Sequence, residues 1–243
     1  MVNSSASIRK SLAAPPHFNP RSVPISHRCE DQTRVSDHLF NANVLRQRFA
    51  SPPAWTPEIT DENRHVIASN IIAQREAEGL TTEAAILLPI VMQSNGLHVL
   101  LTQRTEHLHD HAGQISFPGG RKDFVDESII TTALRESEEE IGLPSDHIDV
   151  IGTMPEYLTV SGYRVTPVVA LVEPPRAYRP DPFEVADVFE VPLPFLMNPA
   201  NHEIRVWHSD EGSRRFYAIP YADRFIWGAT AGMLRNLYHL LKA

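Results

Sequence analysis

Cysteine is almost missing from this chain. Cys29 is the single one in 243 residues, which excludes an intramolecular disulfide framework and leaves no thiolate cluster for structural zinc. Long apolar runs are missing too: the longest, residues 84–92, falls far short of the roughly 20 residues that cross a bilayer. No apolar signal core follows the N-terminal charges, so neither a membrane partner nor secretion is expected, and a reducing, cytoplasmic setting is. Positive charge is scarce, with 22 Lys plus Arg against 30 Asp plus Glu and a net charge of −8. A general nucleic-acid partner is therefore not expected, because it would need a field that attracts phosphates. An anionic ligand would need local arginines or a metal ion.

What is present, 42% hydrophobic and 21% charged residues, fits one folded domain with an appendage. The charge is unevenly divided. Residues 1–54 hold seven basic and three acidic residues, leaving 15 basic and 27 acidic to the remainder. Ser-rich and carrying Pro15, Pro16, Pro20 and Pro24, residues 1–57 read as a basic arm, largely disordered to about residue 35. A short helix is expected after Ser36, where Phe40, Val44, Leu45 and Phe49 recur at helical spacing. The arm reads as docking on the core through that stripe; a mitochondrial transit peptide is the alternative, though prolines interrupt any long amphipathic helix.

Residues 58–243 have the composition of a packed domain. His65–Glu78 reads as a helix, and Ala85–Met92 and Leu97–Arg104 as a hairpin turning at Ser94, Asn95 and Gly96. A glycine loop and a helix follow. Further strands are expected at Val150–Leu158, Arg164–Val172, Val188–Val191, Glu203–His208 and Arg215–Ile219, and a last helix from about Trp227 to Leu241. Strands with interspersed helices imply an α+β or α/β sandwich with a mixed sheet.

The chemistry lies between Gly119 and Leu143. Asp126 or Ser128 can cap the helix there, and Gly142 can end it in the left-handed conformation. At about 100° per residue, Glu136, Glu139 and Glu140 share one arc of the wheel, beside an apolar stripe of Ile130, Ala133, Leu134, Ser137 and Ile141. A solvated acidic face is one reading. Against it, like charges three and four apart repel by a few tenths of a kcal/mol per pair, and carboxylates at the edge of a buried stripe are the ligands that Mg²⁺ or Mn²⁺ prefers. Arg135, beside the cluster, could orient a glutamate.

Residues 120–143 resemble a Nudix box, Gly-x5-Glu-x7-Arg-Glu-U-x-Glu-Glu-x-Gly-U with U a bulky aliphatic. Glu127, Arg135, Glu136, Glu139, Glu140, Gly142 and Leu143 match. Gly120 comes one residue early because the loop is one longer, and Ser137 replaces the first U. The segment Leu100–Gly120 is similar to the motif preceding the box in the coenzyme A pyrophosphatase branch: Leu100, Leu101, Thr102, Arg104, Gly113, Phe117, Pro118, Gly119 and Gly120 match. Thr105 stands where Ser or Ala is usual. His109 stands where Arg is usual, and a mostly neutral imidazole cannot make the bidentate phosphate contact of a guanidinium. Gly162–Val169, Glu184–Leu193 and Trp227–Gly232 also look like this branch.

The resemblance implies an α/β/α sandwich and a metal-dependent pyrophosphohydrolase. Glu136, Glu139 and Glu140 would hold Mg²⁺ or Mn²⁺. Glu139, Glu140, Arg135 and Glu184 are the catalytic candidates, Glu184 as an outside glutamate to activate water, although a surface acid reads equally well there. Arg104, His109, Gly113, Phe117, Gly119 and Gly120 are the substrate-binding candidates. The implied substrate is a small anion, coenzyme A or a derivative; other nucleotides, or a non-catalytic nucleotide sensor, are the alternatives, and a homodimer is allowed. His107, His109 and His111 alternate and would share one side of an extended segment, but without a carboxylate or thiolate at ligand spacing they read better as solvated or substrate-facing than as a metal site.

Overall fold

The computed structural model describes residues 18–58, 82–108, 111–159, 162–209 and 212–243. The expected helix at His65–Glu78 and the residue His109 lie outside them. Strand β2 (Thr82–Gln93) runs down the main sheet, and its alternation decides what sits on either face. Ala85, Leu87 and Val91 point to one core cluster and Leu88 and Ile90 to the other, as period-2 side-chain placement requires. Both neighbours of β2 are long. Strand β3 (Gly96–Arg104) returns antiparallel across the two-residue turn Ser94–Asn95, while β8 (Tyr163–Val172) lies parallel, with Thr82 opposite Tyr163 and Val91 opposite Val172.

Short strands complete this sheet of eight among the described residues: β4 (Ile115–Ser116) and β9 (Val185–Pro192) on β3, β5 (Gly119–Arg121) on β2, and β6 (Ile148–Thr153) and β7 (Tyr157–Leu158) on β8. Helix α1 (Ala42–Ala50) matches the stripe expected after Ser36, with Leu45 fully buried. Helix α2 (Ile129–Ile141) covers one face of the sheet through Ala133 and Ile141. The other face packs against helix α4 (Gly228–Lys242), through Leu234, Leu237 and Leu241, and against a second sheet. That sheet is antiparallel in the order β1 (Ile25–Arg28), β10 (Glu203–Ser209), β11 (Gly212–Tyr221), β12 (Arg224–Trp227). A one-turn helix α3 (Leu193–Leu196) follows β9. The result is the mixed-sheet α/β sandwich, with a small sheet sharing one outer layer.

Three expectations change. The segment to residue 35 is packed from residue 18 onward: β1 pairs with β10, and Val23, Cys29 and Val35 are buried. Arg205 Nη1 donates to the carbonyls of Arg21 (2.9 Å) and Val23 (2.6 Å), and Tyr238 donates its hydroxyl to the Thr33 carbonyl at 2.6 Å. Sparse apolar residues suffice because a sheet edge and ready-made donors receive the chain. Val150–Leu158 divides into β6 and β7 around Pro155, which has no N–H for a ladder. Gly119–Arg121, read as loop, is a strand. Gly119 (φ +154) lies so close to β2 that a Cβ would collide with the Ala85 carbonyl and Ile86, so the pairing is set by the partner rather than by β-propensity.

Candidate active site

The site is built on α2. Ser128 is the N-cap, its Oγ accepting from Thr131 N at 3.1 Å, and Gly142 ends the helix at φ +64. Asp126, the alternative cap, has a different task. Its carboxylate accepts from Arg135 Nε (3.0 Å) and Nη2 (2.9 Å), from Asp123 N (2.9 Å) and from Thr132 Oγ1 (2.9 Å). The hydrogen bonds and charge of Arg135 hold this buried carboxyl well below the usual range. Nothing local in the sequence distinguishes it from a cap.

Arg135 also donates from Nη1 to Glu136 Oε1 and to Glu139 Oε2, both at 2.9 Å, and from Nη2 to the Arg121 carbonyl at 3.1 Å. With its donors committed, Arg135 positions the carboxylates, the orienting role expected of it beside the cluster. Ser137, in place of an aliphatic residue, is fully buried and satisfies its hydroxyl on the Ala133 carbonyl at 2.7 Å.

The three glutamates of the helix differ in environment. Glu139 is exposed, Glu136 half-buried against Gly120, and Glu140 buried. A Cβ on Gly120 would stand 2.5 Å from the Glu136 carboxylate carbon, so only glycine lets that side chain lie over β5. Glu140 Oε2 accepts from Gly119 N at 3.2 Å, and Oε1 lies 3.8 Å from Arg104 Nη1. Desolvation pushes the Glu140 carboxyl up to about 8 despite these two partners, with Glu184 and Glu136 adding repulsion. Glu136 is raised for the same first reason, burial, against the pull of Arg135. Glu184 therefore shares the site, carried there by a Thr105 N to Glu184 O bond of 3.0 Å that joins the end of β3 to the start of β9.

Arg104 is under-used: its Nε is buried without a hydrogen-bond partner. Gly113 (φ +67) turns the connecting loop next to Glu106. Phe117, a substrate-binding candidate by resemblance, lies inside the fold instead. It is 3% exposed and belongs to the core cluster, so it anchors the glycine strand from below. His107 packs on Phe183, whereas His111 pairs Nδ1 with Gln114 Oε1 at 3.0 Å, so these two do not share a ligand position.

Among the described residues, no three His, Cys, Asp or Glu side chains converge closely enough to cage a metal, because Arg135 holds Glu136 and Glu139 while Gly119 holds Glu140. The chemistry of the donor set still fits a hard divalent cation. Carboxylate oxygens are its preferred ligands, and the burial that raises Glu136 and Glu140 is the penalty that a bound dication offsets.

Among curated proteins, the chain is 44% identical over 157 residues to the uncharacterized Nudix hydrolase NudL of Escherichia coli O1:K1 / APEC, and equally to that of Shigella boydii serotype 18; the match covers 64% of this chain and 80% of each relative. A solved Nudix hydrolase from M. Smegmatis, RenU, is 28% identical, with a TM-score of 0.40 over 46% of this chain and 71% of that one. The NUDIX domain model matches residues 81–209, more than half of the chain and the stretch that contains the whole carboxylate helix and its glycine strand. The chain belongs to the Nudix family.

Proposed function

We propose that this Nudix hydrolase, whose family acts on nucleoside diphosphate derivatives, cleaves the diphosphate of coenzyme A or its acyl forms to 3′,5′-ADP and a 4′-phosphopantetheine product. The observation that carries the reading is Arg104, a guanidinium with a buried, unpaired Nε, 3.8 Å from Glu140, within a segment that resembles that of coenzyme A pyrophosphatases. A buried donor without a partner costs about 1–3 kcal/mol; a phosphate oxygen is the acceptor that suits it.

Glu136, Glu139 and Glu140 would hold Mg²⁺ or Mn²⁺, which supplies neutralisation of charge on the phosphate oxygens. Glu184 accepts the proton of the attacking water. The water oxygen bonds to phosphorus, the bridging P–O bond breaks, and the leaving phosphate keeps that electron pair. Arg104 binds a non-bridging oxygen, and Asp126 acts through Arg135 to keep the glutamates in register. A general nucleoside-diphosphate hydrolase is the second reading, favoured by His109 in the position where the branch has Arg.

The discriminating group is the 3′-phosphate. One charge-assisted hydrogen bond to it contributes roughly 1.5–3 kcal/mol, or about 10- to 150-fold. The expected order of kcat/KM with saturating Mg²⁺ is coenzyme A, then dephospho-coenzyme A, then ADP-ribose. ADP-ribose equal to or better than coenzyme A would favour the second reading.

A further inference from the structure

Four large apolar side chains stand in solvent among the described residues: Ile25, Phe124, Val125 and Phe183. The last is joined to the carboxylate site by its own backbone. Asp181 N donates to the Glu140 carbonyl at 2.8 Å, Phe183 N to Asp181 Oδ1 at 2.8 Å, and Thr105 Oγ1 to the Phe183 carbonyl at 2.8 Å. Thr105 follows Arg104, and Glu184 follows Phe183. The main chain is thus pinned from the end of α2 and from the end of β3, yet the residue remains 63% exposed. Its one ring neighbour among the described residues is His107, itself exposed, at 4.9 Å between centroids and 60° between planes.

An aromatic ring left in water on a pinned backbone forgoes the burial that Phe side chains ordinarily gain. The surrounding loop carries Asp181 and Glu184, so the phosphates of an anionic substrate are repelled from it. A neutral, flat group is not. We propose that Phe183, with His107 at its edge, is the platform on which the base of the nucleoside diphosphate stacks while the diphosphate lies at Arg104 and the glutamates. This rests on the hydrolase reading above. It adds a subsite for the base and predicts tolerance of different bases, since every base presents a π-face.

The test compares Mg²⁺-dependent binding of ADP, which has a base, with that of inorganic pyrophosphate, which has none, by calorimetry. Phe183→Ala is expected to weaken ADP by about 5- to 150-fold, the range for one base–aromatic stack, and to leave pyrophosphate within about twofold. Phe183→Trp should keep ADP affinity, with its added fluorescence quenched saturably by ADP and not by pyrophosphate. Phe183→Leu, apolar without a π-face, should behave like Ala. Equal loss of both probes, no loss of either, or full rescue by Leu overturns the platform. If wild type cleaves nucleoside diphosphate derivatives while Phe183→Ala binds ADP normally, the platform alone fails; if wild type neither cleaves them nor binds either probe, both readings fail.

Discussion

On one side of the main sheet, in α4, Arg235 is 1% exposed and fully engaged. It bonds Glu58 Oε2 through Nε (3.2 Å) and Nη2 (2.9 Å), His202 Nδ1 at 3.0 Å and Gln32 Oε1 at 3.0 Å, and lies over the rings of Tyr217 and Tyr238. On the opposite side, Glu140 is buried and its carboxylate accepts one hydrogen bond among the described residues, from Gly119 N, while Arg104 beside it keeps an Nε with no partner among them. Both clusters keep a carboxyl at least partly out of water, but their titration moves in opposite directions. Burial alone would raise Glu58; hydrogen bonds from His239, Tyr217 and Arg235, together with the charge of Arg235, bring it down to about 2. At Glu140 burial wins and the carboxyl rises to about 8. A cluster that closes its own electrostatics serves the fold; one left open is arranged for something that arrives.

The comparison breaks first at Arg235. Replacing it by Leu leaves Glu58 half-buried beside Tyr217 without its cation, a loss expected to be about 3 kcal/mol, the low end for breaking a buried pair. At roughly 2–4 °C per kcal/mol for a chain of this size, thermal unfolding should fall by about 10 °C. Turnover by the remaining folded protein should stay within a few-fold, since none of these contacts reaches α2. A fall in kcat without a fall in melting temperature would make the paired cluster part of the reaction instead.

Next comes pH. His202 is fully buried, its Nε2 on the Leu196 carbonyl at 2.6 Å and its Nδ1 on Arg235, an arrangement that needs the neutral ring with the proton on Nε2. Desolvation, reinforced by Arg235, lowers it to about 4. In that window the unfolded chain binds a proton that the folded one excludes. The stabilisation is therefore full above about pH 6.5 and is lost as pH falls to about 4, by on the order of 3 kcal/mol. Urea midpoints across this range should show the slope, and His202→Gln should flatten it. An unchanged slope would mean that another group titrates there.

The open cluster was more legible in the sequence than the closed one. Glu136, Glu139 and Glu140 share an arc because helical periodicity is local, and Ser128 and Gly142 bound the helix by rules that span a few residues. Arg104, Glu184 and Gly120 were reachable only through resemblance, since the contacts that unite them cross the sheet. Phe117 shows the cost of that route: a motif position need not be a ligand position, and this one is core. Glu58 and Arg235 lie 177 residues apart, and no local pattern relates them. The arm packs more tightly than its composition implies, because composition measures how much a segment can bury by itself, whereas Val23, Cys29 and Val35 are buried where β10 and α4 receive the chain.

The sharpest version of the comparison sets stability against turnover within α2 itself. Glu139→Gln and Glu140→Gln are each expected to lower kcat by roughly 10² or more, the scale of losing one preorganised electrostatic group. Their stabilities should separate. Glu140→Gln removes a carboxyl that must take up a proton on folding near pH 7, because burial raises it to about 8, so without added metal its melting temperature should rise by a few degrees. Glu139 is exposed and its side chain bonds only Arg135 among the described residues, so Glu139→Gln should move stability by no more than about 0.5 kcal/mol. Loss of activity with a gain in stability is the reverse of what Arg235→Leu should give. Measured together by steady-state hydrolysis and metal-free thermal melts, the three variants test whether one buried cluster serves folding and the other catalysis. If both glutamine variants retain activity within a factor of a few, the carboxylates of α2 are a solvated helix face and the assignment of the site to this helix is wrong.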